Sequence, residues 1–423
     1  MEFTVETALI KSIMSILSRT VSVAGTVTIN TRFSVLKKKD GRWLVIEMVG
    51  EKAYGKTVLK PNEVDWLSKD MTPIVIDGSF IQSLPDMAGN YEFRATDDTT
   101  LTIRNKQYTR EVGQGGDESW NRLKVSEPQE LVIPIESATE LIGSIPSACT
   151  FAESITTFSP DSLVRISING KEITIEATDS HSAFFRRVHL SKTLGKGQIL
   201  VPADWLATWP HLIRGGKGSK IKLLLSSEEE DSCVAIHTDR WKIVHALPES
   251  DRFKDVQSIM KRRNDKKFKG KNDLVVFCPS MATAINMACS CLPGDPAIEL
   301  RREEKVFSLF AEDSQARSSL NLGKVGESFA ATEKVEIDKE PIKKPGKKTE
   351  KEEPKKKAAD TVVKGCKNYR ETMRTNRTAW DLVLKAGSTL VVDKTLRLRS
   401  DGRMVFAEDG SANLIVATTE VKG

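Results

Sequence analysis

Two apolar spacings alternate along this chain. Leu9, Ile13, Ile16 and Leu17 recur at helical spacing and predict an amphipathic helix from about Glu6 to Thr20, led in by a short strand at Phe3-Thr-Val. The same strand-then-helix order returns at Ile74-Val-Ile-Asp-Gly into Ser79-Phe-Ile-Gln-Ser-Leu, and at Leu131-Val-Ile-Pro-Ile into Ser137-Ala-Thr-Glu-Leu-Ile. It returns at Ile199-Leu-Val-Pro into a helix over Pro202–Ile213, and at Leu274-Val-Val-Phe into Ser280-Met-Ala-Thr-Ala-Ile-Asn. A sixth copy runs from Met373-Arg-Thr-Asn into Arg377-Thr-Ala-Trp-Asp-Leu-Val-Leu.

Between the helices, period-two alternation with turn residues predicts strands at Leu163–Ile168, Lys220–Leu225, Ser232–His237 and Thr395–Arg399. Asn169-Gly170 between alternating runs predicts a hairpin. Six such units, spaced roughly 60–75 residues apart, predict half-domains paired into three α+β domains of similar build. Their expected bounds are residues 1–125, 126–262 and 263–423. A chain of 423 residues suits about that many cores.

One stretch lacks any apolar period. Residues 339–357 read KEPIKKPGKKTEKEEPKKK, with no aromatic residue, and cannot bury enough surface to offset the entropy of ordering. The segment 332–367 is therefore expected to be a disordered basic insertion inside the third domain, because the strand–helix order resumes after it.

Composition adds exclusions. No window approaches the ~18 apolar residues of a membrane span. Glu2 and Glu6 stand where an export signal would be basic, which points to a cytoplasmic protein. Cys149, Cys233, Cys278, Cys289, Cys291 and Cys366 are scattered, and Cys289-Ser-Cys291 is not a zinc spacing, so reduced, buried thiols are expected. The net charge of +6 neither demands nor excludes nucleic acid.

No catalytic pattern is present: there is no phosphate-cradling P-loop and no dinucleotide-binding glycine motif after a strand. Gly113-Gln-Gly-Gly116 runs into Asp117-Glu118, which reads as an exposed turn, and Glu228-Glu-Glu-Asp231 as a solvated hairpin tip. His237 and His245 are placed for neighbouring ladder positions but lack further ligands. Neither metal nor cofactor is expected, and the chain reads as a non-enzyme.

The basic residues are better placed. Lys11, Ser15 and Arg19 stand at i, i+4 and i+8, opposite the apolar stripe of the first helix. Arg214 and Lys217 follow the Pro202–Ile213 helix, and Arg377 and Lys385 lie on the last one. Surface helices carry Lys and Arg in any case, but repeated helices sharing one axis would gather these charges against a phosphate backbone. Such contacts carry no base information and suit a protein that moves along DNA.

The segment Glu172–Trp205 supplies a resemblance. Its Ala177-Thr-Asp-Ser-His181 turn, following strand and Val-Pro-initiated helix resemble the middle domain of the bacterial DNA polymerase III β subunit, the sliding clamp. Met1-Glu-Phe-Thr-Val, Ile74–Pro85, Ser250-Asp-Arg-Phe-Lys-Asp-Val-Gln and Thr375–Thr419 resemble further family segments in the same order. The resemblance implies a DNA-clamp fold: a head-to-tail homodimeric ring, helices lining a pore and antiparallel sheets outside. It implies double-stranded DNA, a DNA polymerase, a clamp loader and a second copy of the chain as partners. Carried over by position, the client-peptide groove would comprise Thr178, Ser180, His181, Ala183, Lys254, Ile259, Val416 and Ala417. The subunit joint would pair an edge strand at Lys106–Arg110, with Tyr108 and Arg110, against Cys289–Leu292.

The chain departs from the family where the turn's glycine and arginine are Ser180 and Ser182, its large apolar residue is Ala183, and a proline is Lys254. These changes imply a smaller, more polar groove and, with the insertion, a phage or mobile-element origin. Two other readings stay open at the level of sequence: a clamp serving mainly transcription, and a non-ring module that binds nucleic acid through the Lys-rich insertion.

Overall fold

The structure, a computed structural model, describes residues 1–21, 30–50, 53–96, 99–115, 129–133, 135–152, 160–213, 221–225, 233–238, 240–246, 253, 256–262, 274–303, 306–314, 316–324, 363–364, 372–400, 403–419 and 421. They form two compact units: Met1–Thr178 with Arg187–Lys254, and Asp179–Arg186 with Asp255–Gly423. The helices described are α1 (Thr7–Val21), α2 (Gly78–Gln82), α3 (Ile135–Cys149), α4 (Ala203–Leu206), α5 (Trp209–Ile213), α6 (Val256–Arg262), α7 (Cys278–Ala288) and α8 (Arg377–Leu390). The strands pair antiparallel throughout.

The first unit holds a five-stranded sheet in the order Val64–Trp66, Glu2–Glu6, Asn90–Ala95, Thr100–Asn105, Tyr108–Gly113. An eight-stranded sheet runs Gln129–Ile133, Ile221–Leu225, Cys233–His237, Trp241–Ala246, Ala53–Leu59, Gly41–Val49, Asn30–Lys38, Ile74–Asp77. Phe3 and Phe93 of the first sheet stack at 4.9 Å and both meet Phe33 of the second, at 5.7 and 5.5 Å. These rings are fully buried, and each aromatic pair adds about 0.5–1.5 kcal/mol beyond the area it buries.

Also in this unit, Leu163–Asn169 lies between Lys196–Pro202 and Glu172–Thr178. Its hairpin turns one residue later than the Asn169-Gly170 reading. Asn169 still pairs with Glu172, so Gly170 (φ 65°) and Lys171 form the loop.

The buried stripe of α1 is Ile10, Ile13, Met14, Leu17 and Val21, rotated from the expected one, with Leu9 and Ile16 on its flanks. The expected Pro202–Ile213 helix is broken into α4 and α5. Pro210 has no N–H to donate and its ring collides with the carbonyl four residues back, at Leu206, which is where α4 stops.

In the second unit Arg317–Lys324, Val306–Glu312, Ala297–Glu303 and Thr372–Asn376 form a four-stranded sheet in that order. Leu414–Thr419, Met404–Glu408, Thr395–Ser400, Leu274–Phe277 and Val363–Lys364 form another, and Ser182–Arg186 pairs onto Leu414–Thr418. Val363–Lys364 lies against Leu274–Phe277 as Val64–Trp66 lies against Glu2–Glu6. Apart from these two residues, the predicted insertion at 332–367 lies outside the described residues.

Helix α8 begins where Asn376 Oδ1 accepts the Ala379 N–H at 3.0 Å, a side-chain cap. Its Gly387 is a packing requirement. A Cβ there would lie 2.5 Å from Cys278 Sγ and 2.6 Å from Leu396 Cδ1. We expect Gly387→Ala to lower stability by about 1–2 kcal/mol, overpacking outweighing the gain in helix propensity. Urea denaturation checks this; an unchanged or raised midpoint would show that the helix has room to move.

A motif not anticipated from sequence recurs at three strand pairs. Arg32 faces Glu47, Arg165 faces Glu176 and Arg397 faces Glu408 across adjacent strands. All three carboxylates are buried. Glu47 accepts from Tyr54 Oη at 2.6 Å and lies 3.8 Å from Arg32 Nη1. Glu176 is paired with the Arg165 guanidinium, and Glu408 lies 3.2 Å from Arg399 Nη2.

Candidate nucleic-acid and client surfaces

On α1, Ser15 and Arg19 are exposed and Lys11 half-buried, all on the side away from the core. Lys11 lies 3.5 Å from Asp86, whereas Arg19 has no carboxylate partner among the described residues. Arg377 is engaged within its unit, donating to Asn286 Oδ1 at 3.2 Å with Asp381 at 3.7 Å one turn along the helix. Burial raises the Asp381 carboxyl above its ordinary value, against the pull of Arg377. Lys385 is exposed. Arg214 and Lys217 lie outside the described residues.

The turn after Glu172–Thr178 is built by Asp179. Its Oδ1 accepts the His181 N–H at 2.9 Å and the Ser182 N–H at 2.5 Å, while its own N–H reaches Ser182 O at 3.2 Å. Ser180 takes φ 74°, the left-handed region that glycine occupies without penalty, at a cost of about 1 kcal/mol or more. His181 is exposed, and its carbonyl accepts the Thr419 N–H at 2.9 Å.

Of the other groove residues taken from the resemblance, Ile259 is half-buried on α6. Ala183 pairs with Ala417 and Phe184 with Val416 in the sheet. Ala183, Val416 and Ala417 are at most 1% exposed, so their side chains are core rather than the lining of an open groove. Thr178 is buried in the first unit, and Lys254 lies outside the described residues.

Of the residues expected at a subunit joint, Tyr108 and Arg110 lie on Tyr108–Gly113, the edge strand of the five-stranded sheet. Tyr108 meets Tyr91 edge-on at 6.2 Å. Arg110 donates to Ser83 Oγ at 2.7 Å and lies over Phe80. The opposite candidate is not a strand. Cys289 caps α7, and both Cys289 and Leu292 are buried by the helix end. The edge there is Arg317–Lys324, which Ser318 ties to α7 by donating to the Ala288 carbonyl.

Burial pushes the thiols of Cys149 and Cys278 up to about 12, and raises that of Cys289, which keeps them protonated and unreactive. Cys291 departs from the expected burial and is exposed. Cys366 lies outside the described residues. His237 faces Lys242 and His245 faces Val234, so the two histidines are not ladder neighbours. Among the described residues no three metal-ligating side chains converge, and no helix is long and apolar enough to cross a membrane.

No protein-family model and no curated protein matches the sequence. Solved structures do match. The β subunit of DNA polymerase from Streptococcus pyogenes superposes with a TM-score of 0.71 at 15% identity, covering 100% of both chains. The DNA polymerase sliding clamp of Bacillus subtilis gives 0.71 at 13%, covering 100% of this chain and 99% of that one. The Helicobacter pylori β clamp bound to a DNA ligase peptide gives 0.68 at 12%, covering 100% of both. Over its whole length, then, the chain has the α+β fold of these bacterial sliding clamps, built from antiparallel sheets with helices.

Proposed function

We propose that this protein is a DNA sliding clamp, a non-catalytic tether that holds a replicative polymerase and other clients on duplex DNA. The observation that carries the reading is the fold likeness over the full length of both chains at TM-scores near 0.7. The exposed Ser15 and Arg19 beside Lys11 on α1 support it, as does the exposed Lys385 on α8. In this reading Lys11, Ser15, Arg19, Arg214, Lys217, Arg377 and Lys385 face phosphates. The chain comprises three domains, residues 1–125, 126–262 and 263–423, and two copies close a ring. The joint uses the Tyr108–Gly113 edge of one copy and the Arg317–Lys324 edge of the other, since each is the outermost strand of its sheet among the described residues.

One matched structure holds a DNA ligase peptide, which supports a client-peptide site here too. On the second unit we assign it to Ser180, His181 and Ile259, the candidates that are not buried. The matched structures named above come from bacteria and lend the phage origin no support.

A ring is held by topology rather than charge. Loaded onto a nicked circular plasmid, the protein should survive a high-salt wash and be lost once the plasmid is linearised. Equal retention on circular and linear templates, vanishing when residues 332–367 are deleted, would instead make the Lys-rich segment the binding element and sink the clamp reading.

A further inference from the structure

A cleft of about 190 Å³ opens between α1 and the α4–α5 corner, lined by Ser12, Ser15, Ile16, Arg19, Thr208 and His211. It is smaller than the ~300–1,000 Å³ pockets that enclose drug-sized ligands, so it suits one small group. Its chemistry has a single sign. Arg19 brings a guanidinium without a carboxylate partner among the described residues, His211 an exposed imidazole, and Ser12 and Ser15 exposed hydroxyls. Thr208 is buried and donates its hydroxyl to the Trp205 carbonyl at 2.7 Å. Among the described residues no carboxylate lines the cleft, which favours an anion over a cation there.

Resting on the clamp reading, we propose that this cleft seats one backbone phosphate of duplex DNA, with His211 as a contact that binds the phosphate in its protonated form. Arg19 supplies the permanent charge, the two serines supply neutral donors, and the imidazolium adds a second charge only when protonated. Binding then takes up a proton. Among the described side chains, the charged groups on the elements packed around His211 are Lys11 and Arg19 on α1, Glu140 on α3 and Asp204 on α4, and of these Arg19 alone lines the cleft. The assignment extends the phosphate-facing set to Ser12 and His211, which the spacing of basic residues along the helices did not mark.

The test measures affinity for a duplex oligonucleotide by fluorescence anisotropy, at fixed ionic strength, at about pH 6 and about pH 8. The wild type should bind about fivefold more tightly at the lower pH, histidine being the side-chain type that ordinarily changes charge across such a window. His211→Gln should flatten most of that dependence, and His211→Arg should bind tightly at both pH values. Arg19→Gln should weaken binding at both. A His211→Gln variant that tracks the wild-type pH curve overturns the phosphate seat while leaving the clamp reading intact. Absence of both duplex affinity and retention on circular DNA in the wild type removes the clamp reading, and the seat with it.

Discussion

Replacing Glu176 by leucine should cost about 3–5 kcal/mol, because it strands the Arg165 guanidinium in the interior. Glu176 is fully buried, and Arg165 is 14% exposed in its side chain. The two face each other across Leu163–Asn169 and Glu172–Thr178, and Phe253 covers the guanidinium at 4.6 Å. The pair's own worth is modest, since desolvating two charges cancels most of their attraction. What makes the single change severe is the uncompensated charge left behind. The double variant Arg165→Met with Glu176→Leu should therefore recover most of the loss. Urea denaturation followed by fluorescence of the buried Trp205 and Trp209 reads both variants. A Glu176→Leu protein within about 1 kcal/mol of wild type would show that water reaches Arg165.

Acid should unfold the first unit through His245. This side chain is 1% exposed, stacks on Trp205 at 4.2 Å, and holds the Thr20 carbonyl at 3.2 Å through Nε2. Burial pushes its pKa down to about 3, and the hydrogen bond to Thr20 opposes that only partly. The unfolded chain protonates this imidazole near its ordinary value of 6.5, whereas the folded chain does not until about 3. Between those values the unfolded state binds more protons. Stability contributed by the neutral ring is complete above 6.5 and falls by about 1.4 kcal/mol per pH unit below it. By about pH 4.5 the loss amounts to roughly 2.7 kcal/mol. Carboxylates titrate in the same range, so the informative comparison is His245→Gln, whose stability should fall less steeply between about pH 6.5 and 4.5. Parallel slopes for the two proteins would show that His245 takes up its proton in place.

The strand–helix alternation made the repeated architecture legible, because burying one face of a helix or strand imposes a period on the chain itself. Long-range pairing left weaker traces. Arg32-Phe-Ser-Val and Arg165-Ile-Ser-Ile share an arginine–apolar–serine–apolar order, the one sequence sign of the buried cross-strand pairs, but nothing local identifies which glutamate will stand opposite. The resemblance implies a strand at Cys289–Leu292, yet the segment closes α7 in turns, with the Cys289, Ser290 and Leu292 N–H groups donating to the Ile285, Met287 and Cys289 carbonyls. Pro210 did announce the break at Leu206, through a steric rule that hydrophobic spacing does not register. Among the candidate contacts, exposure was legible for Ser15 and Arg19 because it follows helix phase. It was not legible for Ala183, Val416 and Ala417, whose burial depends on strands brought together from distant parts of the chain.

The eight-stranded sheet sets a problem of timing during synthesis. Ala53–Leu59 is an interior strand only because Trp241–Ala246 pairs with it, placing Gly55 opposite Ile243. At translation rates of about 5–20 residues per second, its partner emerges roughly ten to forty seconds later. Until then Ala53–Leu59, whose Ala53, Tyr54 and Leu59 side chains end up buried in the folded protein, offers an open edge to any extended chain nearby. A nascent protein of this design has reason to depend on a chaperone until its second half arrives, and a fragment ending before residue 221 would keep that edge open permanently.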